Sequence, residues 1–307
     1  HAYATNQAQN LTRWMDEFFG DPEYNIEQAE SWLRLETEFE WDEDDGTDSS
    51  IRLRGKVQLP RISQRVNLVF AGEEQENLDK DERDVDDRVG LQINVTDRKR
   101  SRFDVTLGFA SGGLRPGVRY RNEANISERS NYRFTQRVQY EGDEGFYSTT
   151  QLDLNRALDE NSLLRWSNRG LWGEQTFGVE WRSKLSMRHR LWEDSKRPMA
   201  LSYYTAVNGV TRPEQWVRNY KLGLLVRRQI YRDFLFFEIE PALNFRRRKY
   251  EDDRDTAWSI VMRFEIALER DLRRYVPNDE DEMQPVSELE PAQLEEAIED
   301  LEPPAEG

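Results

Sequence analysis

Basic side chains recur at every second position along many segments of this 307-residue chain. In the segment 51–59, Arg52, Arg54 and Lys56 alternate with apolar residues. Side chains at every second position of a β-strand lie on one face, so this spacing places the three cations together. Guanidinium groups form paired hydrogen bonds with carboxylates and phosphates. Such a face could attract anions or pair with carboxylates of the same protein.

The same spacing relates charged residues of both signs elsewhere in the chain. The predicted charged face comprises Arg34, Glu36, Glu38, Arg52, Arg54, Lys56, Arg115, Arg119, Arg121, Arg133, Arg137, Arg165, Glu180, Arg182, Lys184, Glu238, Glu240, Arg263 and Glu265. Two interpretations stay open for its arginines: an anion-attracting wall inside a pore, or an electrostatic lattice that closes the interior. The lattice is favoured, because acidic partners are almost equally available and unpaired confined charges are costly.

Composition excludes several kinds of chemistry. Cysteine is absent, which removes disulfides, zinc–thiolate sites and cysteine nucleophiles. A Ser-His-Asp site would have to use His189, which we interpret as a solvated histidine in a turn at 186–190. The acidic segment 42–48 lacks the twelve-residue pattern of a calcium loop. The net charge of -16 argues against nucleic-acid binding. We therefore predict no catalytic residue, metal or cofactor.

The elements that carry the charged face are predicted to be β-strands. Apolar and polar residues alternate in about 14 segments between Trp32 and Glu269, with 12 to 16 strands compatible with the pattern. Most segments are near the ~9–11 residues with which a tilted strand crosses a bilayer. Acidic and basic connections alternate between them, as expected for an antiparallel up-and-down meander.

The apolar face is predicted to contact lipid and the charged face to line a lumen. A ring of roughly 8 strands is the size that side chains can fill, so a ring of about 14 cannot hold an apolar core. Aromatic residues such as Trp41, Tyr120 and Trp258 lie toward strand ends, as in the interfacial girdles of membrane barrels. The predicted fold is an all-β, antiparallel transmembrane β-barrel.

Segments with a different pattern flank the barrel. Residues 1–30 are predicted to be a periplasmic segment with a short amphipathic helix, residues 31–270 the barrel, and residues 271–307 an acidic, disordered periplasmic tail. The helix places one apolar face at helical spacing, and this face could pack on the barrel, plug the lumen or bind a partner. Its residues are Leu11, Trp14, Met15, Phe18 and Phe19. An even strand number places both termini on the same side.

From Trp32 to Glu269 the chain resembles bacterial outer-membrane β-barrel proteins as a class. The resemblance implies an outer-membrane location, contact with lipid and lipopolysaccharide, and possible envelope partners bound through the helix and the tail. Three functions remain: a narrow charged channel or an anchor for a periplasmic assembly, a scaffold whose lumen is blocked by salt bridges, and a lipid-modifying rim enzyme. The first is favoured and the enzyme is the least favoured.

Overall fold

A computed structural model describes residues 2–19, 32–58, 66–71, 88–98, 100–110, 113–142, 145–191, 197–231, 234–247 and 253–268. Within these ranges the chain forms one helix and fourteen strands. They are α1 (Ala2–Phe18), β1 (Trp32–Asp42), β2 (Gly46–Gln58), β3 (Val66–Ala71), β4 (Arg88–Arg98), β5 (Ser101–Ala110), β6 (Gly113–Ser127), β7 (Ser130–Glu141), β8 (Gly145–Ala157), β9 (Ser162–Gly173), β10 (Val179–Leu191), β11 (Met199–Val210), β12 (Trp216–Tyr231), β13 (Leu235–Arg246) and β14 (Asp255–Ala267). The predicted antiparallel fold of about 14 strands is confirmed. The predicted tail lies outside the described residues.

The strands form one closed barrel in sequence order. Each strand pairs antiparallel with its neighbours along the chain, and β1 pairs with β14 to close the ring, with Leu35 opposite Ile266. A closed ring leaves no strand edge with unsatisfied backbone groups, which is the condition for a sheet to lie in lipid. The end of the barrel at which β1 begins is called the lower end below.

The alternation in sequence places charged side chains inside the barrel and apolar side chains outside, the reverse of a water-soluble protein. Along β6, Arg115 and Arg119 are buried, whereas Leu114 and Val118 are 56% and 39% exposed. The same rule holds in β2, where Ile51 is 68% exposed and Arg54 is buried. Apolar side chains outside and charged side chains inside define a transmembrane β-barrel. Among the described residues, no helix has the length and apolar character needed to cross a membrane.

Two strands are longer than the sequence pattern indicates. The predicted turn at 186–190 belongs to β10, which extends to Leu191, and β6 extends to Ser127. The outward side of these strand ends includes polar residues, Asn122 on β6 and His189 on β10, so the apolar alternation that marks a strand in sequence is interrupted there. At the upper end, Gly46 begins β2 with a φ of 84°. An L-residue rarely adopts this conformation, so glycine allows the tight turn there.

Helix α1 lies against the inner wall at the lower end of the barrel. Leu11 and Met15 form a small apolar cluster with Ala157 of β8 and Leu163 of β9. Phe18 makes an edge contact with Phe236 of β13, with 5.8 Å between ring centroids. The lumen is therefore partly occupied by a segment of the same chain.

Candidate functional site: the charged lumen

An ion-pair network covers the inner wall where the barrel closes. Its members are Arg34, Glu36, Glu38, Arg52, Arg54, Arg227, Glu238, Glu240, Arg263 and Glu265, from strands β1, β2, β12, β13 and β14. Glu265 accepts hydrogen bonds from Arg34 at 3.1 Å and from Arg227 at 2.6 Å. Arg263 donates to Glu38 at 2.6 Å and to Glu240 at 2.8 Å, and it also contacts Glu238. Each of these carboxylates pairs with an arginine of a neighbouring strand or of the strand beyond it.

The register of the sheet explains part of this network. Glu38 is directly opposite Arg263, and Glu36 is directly opposite Arg52. Opposite charges at facing positions of neighbouring strands attract. Glu36 also faces Glu265, and this repulsion is relieved because Glu36 pairs with Arg52 and Arg54 instead. The interior is a lattice rather than a set of isolated pairs.

The centre of the network is almost dry. Glu265 is 1% exposed and Arg227 is 2% exposed. Buried ion pairs attract strongly in a low dielectric, but each charge loses its hydration, so the lattice is stable only while it is complete. Beside it, the hydroxyl of Tyr204 donates to Glu240, and the Tyr204 ring lies over Gly223, which has no side chain to displace it.

The opposite wall, formed by the inward side of β5 to β10, has an excess of positive charge. We call it the basic wall. Its basic residues are Arg102, Arg115, Arg119, Arg121, Arg133, Arg137, Arg165, Arg169, Arg182, Lys184, Arg188 and Arg190. The described acidic residues on the same side of these strands are fewer: Asp104, Glu123, Glu141, Asp153 and Glu180. Some charges are paired, as in Arg119 with Asp104 at 2.8 Å and Arg115 with Glu141. The lumen thus has a balanced side and a cationic side.

One carboxylate of α1 lies among the arginines of the basic wall. Asp16 is fully buried and contacts Arg165, Arg133 at 3.2 Å and Arg188 at 3.6 Å. Burial raises the pKa of the Asp16 carboxyl, but the Arg165, Arg133 and Arg188 guanidinium groups lower it by more, so its pKa lies below its ordinary value. Asp16 is therefore ionised over the whole physiological pH range.

The predicted charged residues occupy these two walls. The structure places Arg34, Glu36, Glu38, Arg52, Arg54, Glu238, Glu240, Arg263 and Glu265 in the ion-pair network, and Arg115, Arg119, Arg121, Arg133, Arg137, Arg165, Glu180, Arg182 and Lys184 along β6 to β10. Lys56 is 1% exposed on β2. The predicted set therefore divides into residues of the ion-pair network, where positive and negative charges balance, and residues of the basic wall, where positive charge is in excess. The alternation in sequence does not predict this division.

The predicted partner-binding helix face is directed to the barrel itself. Leu11, Met15 and Phe18 are buried there. The Arg190 guanidinium lies 5.2 Å from the ring centroid of Trp14, and that of Arg188 lies 4.9 Å from Phe19. In this arrangement the barrel wall contacts the apolar face of α1.

His189 lies in strand β10 and not in a solvated turn, so that interpretation was wrong. Its Nδ1 is 2.9 Å from Ser162 Oγ, and its ring centroid is 5.3 Å from that of Tyr203. The backbone N–H of Asn161 and the Ser162 hydroxyl donate to Asp159 and hold its pKa below the ordinary value. A serine nucleophile needs to donate its proton to histidine, with the acid behind the histidine. Here the serine donates to the acid, which does not match a hydrolytic triad.

Several residues of the lumen were not predicted. Asp16 was not among the predicted residues of α1, and Arg227 and Tyr204 were not included in the charged face. Arg246 contacts Asp42 at the upper end of the barrel, beyond the predicted set. Strand parity could have identified Arg227, Arg246 and Asp42. Parity could not have identified Asp16, because its partners are more than a hundred residues away.

No protein-family model matches the sequence, and no curated protein sequence matches it. Among solved structures, a bacterial polysaccharide outer membrane secretin is similar at 11% identity and a TM-score of 0.48, covering 78% of this chain and 98% of that one. OprB of Pseudomonas putida is similar at 9% identity and a TM-score of 0.48, covering 81% and 97%. The NanC porin has 6% identity and a TM-score of 0.38, covering 76% and 98%. Function is therefore argued from the barrel's own residues.

Proposed function

We propose that this chain is a non-enzymatic outer-membrane β-barrel whose lumen is a narrow, charge-lined channel with a preference for anions. The observation that carries the proposal is the basic wall, which leaves a net positive charge along one side of the lumen. A charged, confined passage concentrates counter-ions and repels co-ions. The lower rim is narrowed by α1, so the expected conductance is small.

The test is the reversal potential of single channels in planar bilayers under a potassium chloride gradient. Wild-type protein should favour chloride. The variant R137Q removes a charge from the basic wall and should shift the reversal potential toward zero. The variant R129Q removes the same charge from the exposed turn between β6 and β7, and it should leave the potential unchanged. Preference for potassium in the wild type would refute anion selectivity.

A second candidate is a scaffold whose lumen is blocked by salt bridges. The burial of the ion-pair network favours it, because side chains that exclude water also exclude ions. A bilayer that stays silent with correctly folded protein would favour the scaffold over the channel. Co-purification from native membranes in mild detergent would then identify what the barrel anchors.

The outer-membrane location, with lipid and lipopolysaccharide around the apolar exterior and both termini in the periplasm, is part of the proposal. A folded barrel should migrate differently on a gel before and after heating. Protease added to intact cells should spare an epitope placed at either terminus. Cleavage of either epitope by protease added to intact cells would refute the proposed orientation.

A further inference from the structure

We infer that Arg133, Arg165 and Arg188 form a binding site for a carboxylate group of an anionic solute, and that the Asp16 carboxylate occupies this site when no solute is bound. The inference rests on the proposed channel for the route by which solute arrives. The site itself is defined by contacts within the barrel.

The site is built by three strands around one carboxylate. Arg165 and Arg188 contact Oδ1 of Asp16, and Arg133 contacts Oδ2. The two oxygens are thus engaged by arginines of β7, β9 and β10. A planar acceptor with two oxygens fits this arrangement, because a guanidinium group donates to such an acceptor with a fixed geometry.

The arginines are held in place by the wall as well as by Asp16. Arg165 donates from Nε to Asn155 Oδ1 at 2.6 Å, and Asn155 donates to Asn131 Oδ1 at 2.9 Å. Arg133 and Arg165 are 7% and 4% exposed. A site supported by neighbouring strands persists without its occupant, since β-strands of a closed barrel cannot move apart independently.

The occupant belongs to a helix and not to the sheet, so it can leave the site without breaking the pairing of any strands. Its helix contacts the barrel through other polar groups, among them Thr12 with Asn131 at 3.2 Å and the Glu17 carbonyl with Arg34 at 3.5 Å, and through its buried apolar side chains. Asp16 and Trp32, the first residue of β1, lie 16 positions apart in the sequence. A group attached to the same chain over a short separation acts at an effective concentration in the millimolar range, and a solute at a similar concentration competes with it.

Displacement of the Asp16 carboxylate from the arginines can be measured as a change in the distance between two spin labels. The chain has no cysteine, so R13C in α1 and E160C in the turn between β8 and β9 provide two unique spin-label sites on exposed residues. In folded protein in liposomes, the distance distribution should be narrow. Citrate at about 0.1 to 50 mM, a range that brackets the millimolar effective concentration of Asp16, should broaden the distance distribution. Chloride at matched ionic strength should not.

Two variants separate specific binding from charge screening. D16N should give a broad distribution without citrate, because its amide cannot neutralise the arginines. E17Q removes one charge from the exposed neighbouring position and should behave as the wild type. Equal effects of citrate and chloride, equal displacement by inorganic phosphate, or a narrow distribution in D16N would each overturn the inference. Heat-modified migration confirms that each variant is folded.

The measurement needs no ion current. A silent bilayer would refute the proposed channel and leave the displacement result unchanged. Conversely, an anion-selective channel whose helix stays docked in citrate would refute the carboxylate site alone.

Discussion

Replacing Glu265 by glutamine tests whether the ion-pair network is dry. Glu265 is 1% exposed and accepts from Arg34 at 3.1 Å and from Arg227 at 2.6 Å. In E265Q both guanidinium groups lose a charged partner and cannot recover their hydration. Removing one member of a buried ion pair typically costs about 3–5 kcal/mol. We expect the free energy of unfolding to fall by that amount.

A matched control is available on the opposite wall. Glu123 pairs with Arg121 at 3.4 Å, but its side chain is 56% exposed. Exposed ion pairs contribute about 0–1 kcal/mol, because water screens them. Urea titration of both variants in lipid vesicles, monitored by tryptophan fluorescence, should give a difference of about 3 kcal/mol between the two losses.

The comparison also tests which side of the lumen water can reach. If E265Q lost no more stability than E123Q, water would reach the network and our view of a dry lattice would be refuted. A large difference shows that the balanced side excludes water. Ions would then have to pass along the basic wall.

Three further predictions concern other parts of the barrel. In G223A the new Cβ would overlap the Tyr204 ring, so the unfolding free energy should fall by about 1–3 kcal/mol; in G170A, where the nearest atom is 3.6 Å from the added Cβ, it should barely change. In V118R a charge enters the lipid-facing side, which should cost about 2–4 kcal/mol, whereas I126R near the strand end should cost about 0–1 kcal/mol; equal costs in urea titration would refute our assignment of the lipid face. Arg165, Arg133 and Arg188 lower the pKa of Asp16, so its ion pairs stabilise the docked helix at every pH above the ordinary pKa of an aspartate. We expect α1 to be released only as pH falls below about 4. Release between pH 5 and 6 in the spin-label distance measurement would contradict this prediction.

The fold was predictable because its main signal is local. A strand between lipid and a polar interior needs alternation along its whole length, as in β2, and fourteen repeats make the pattern unambiguous. Strand ends were less predictable, because residues such as Arg188 and His189 carry no apolar signal in a segment that is nevertheless paired. The inward charges of β1 and β14 followed from parity alone.

The docking of α1 was not predictable to the same degree. The apolar face with Leu11 and Met15 was visible, and a lumen plug was among its interpretations. The ion pairs of Asp16 depend on Arg133, Arg165 and Arg188, which lie on three different strands and more than a hundred positions away in sequence. Contacts of that range depend on the closed register, which a single sequence does not display.

The pairing of β1 with β14 has a consequence for how the protein is made. Arg34 and Glu265 are 231 positions apart, and closing a loop of that length costs about 5 kcal/mol of chain entropy. Glu38 and Glu238 acquire Arg263 only when the last strand is present. A chain truncated before β14 would present these carboxylates at an open edge in lipid. Folding and membrane insertion are therefore expected to be all-or-none, and a chain that lacks β14 should not form a stable barrel in the membrane.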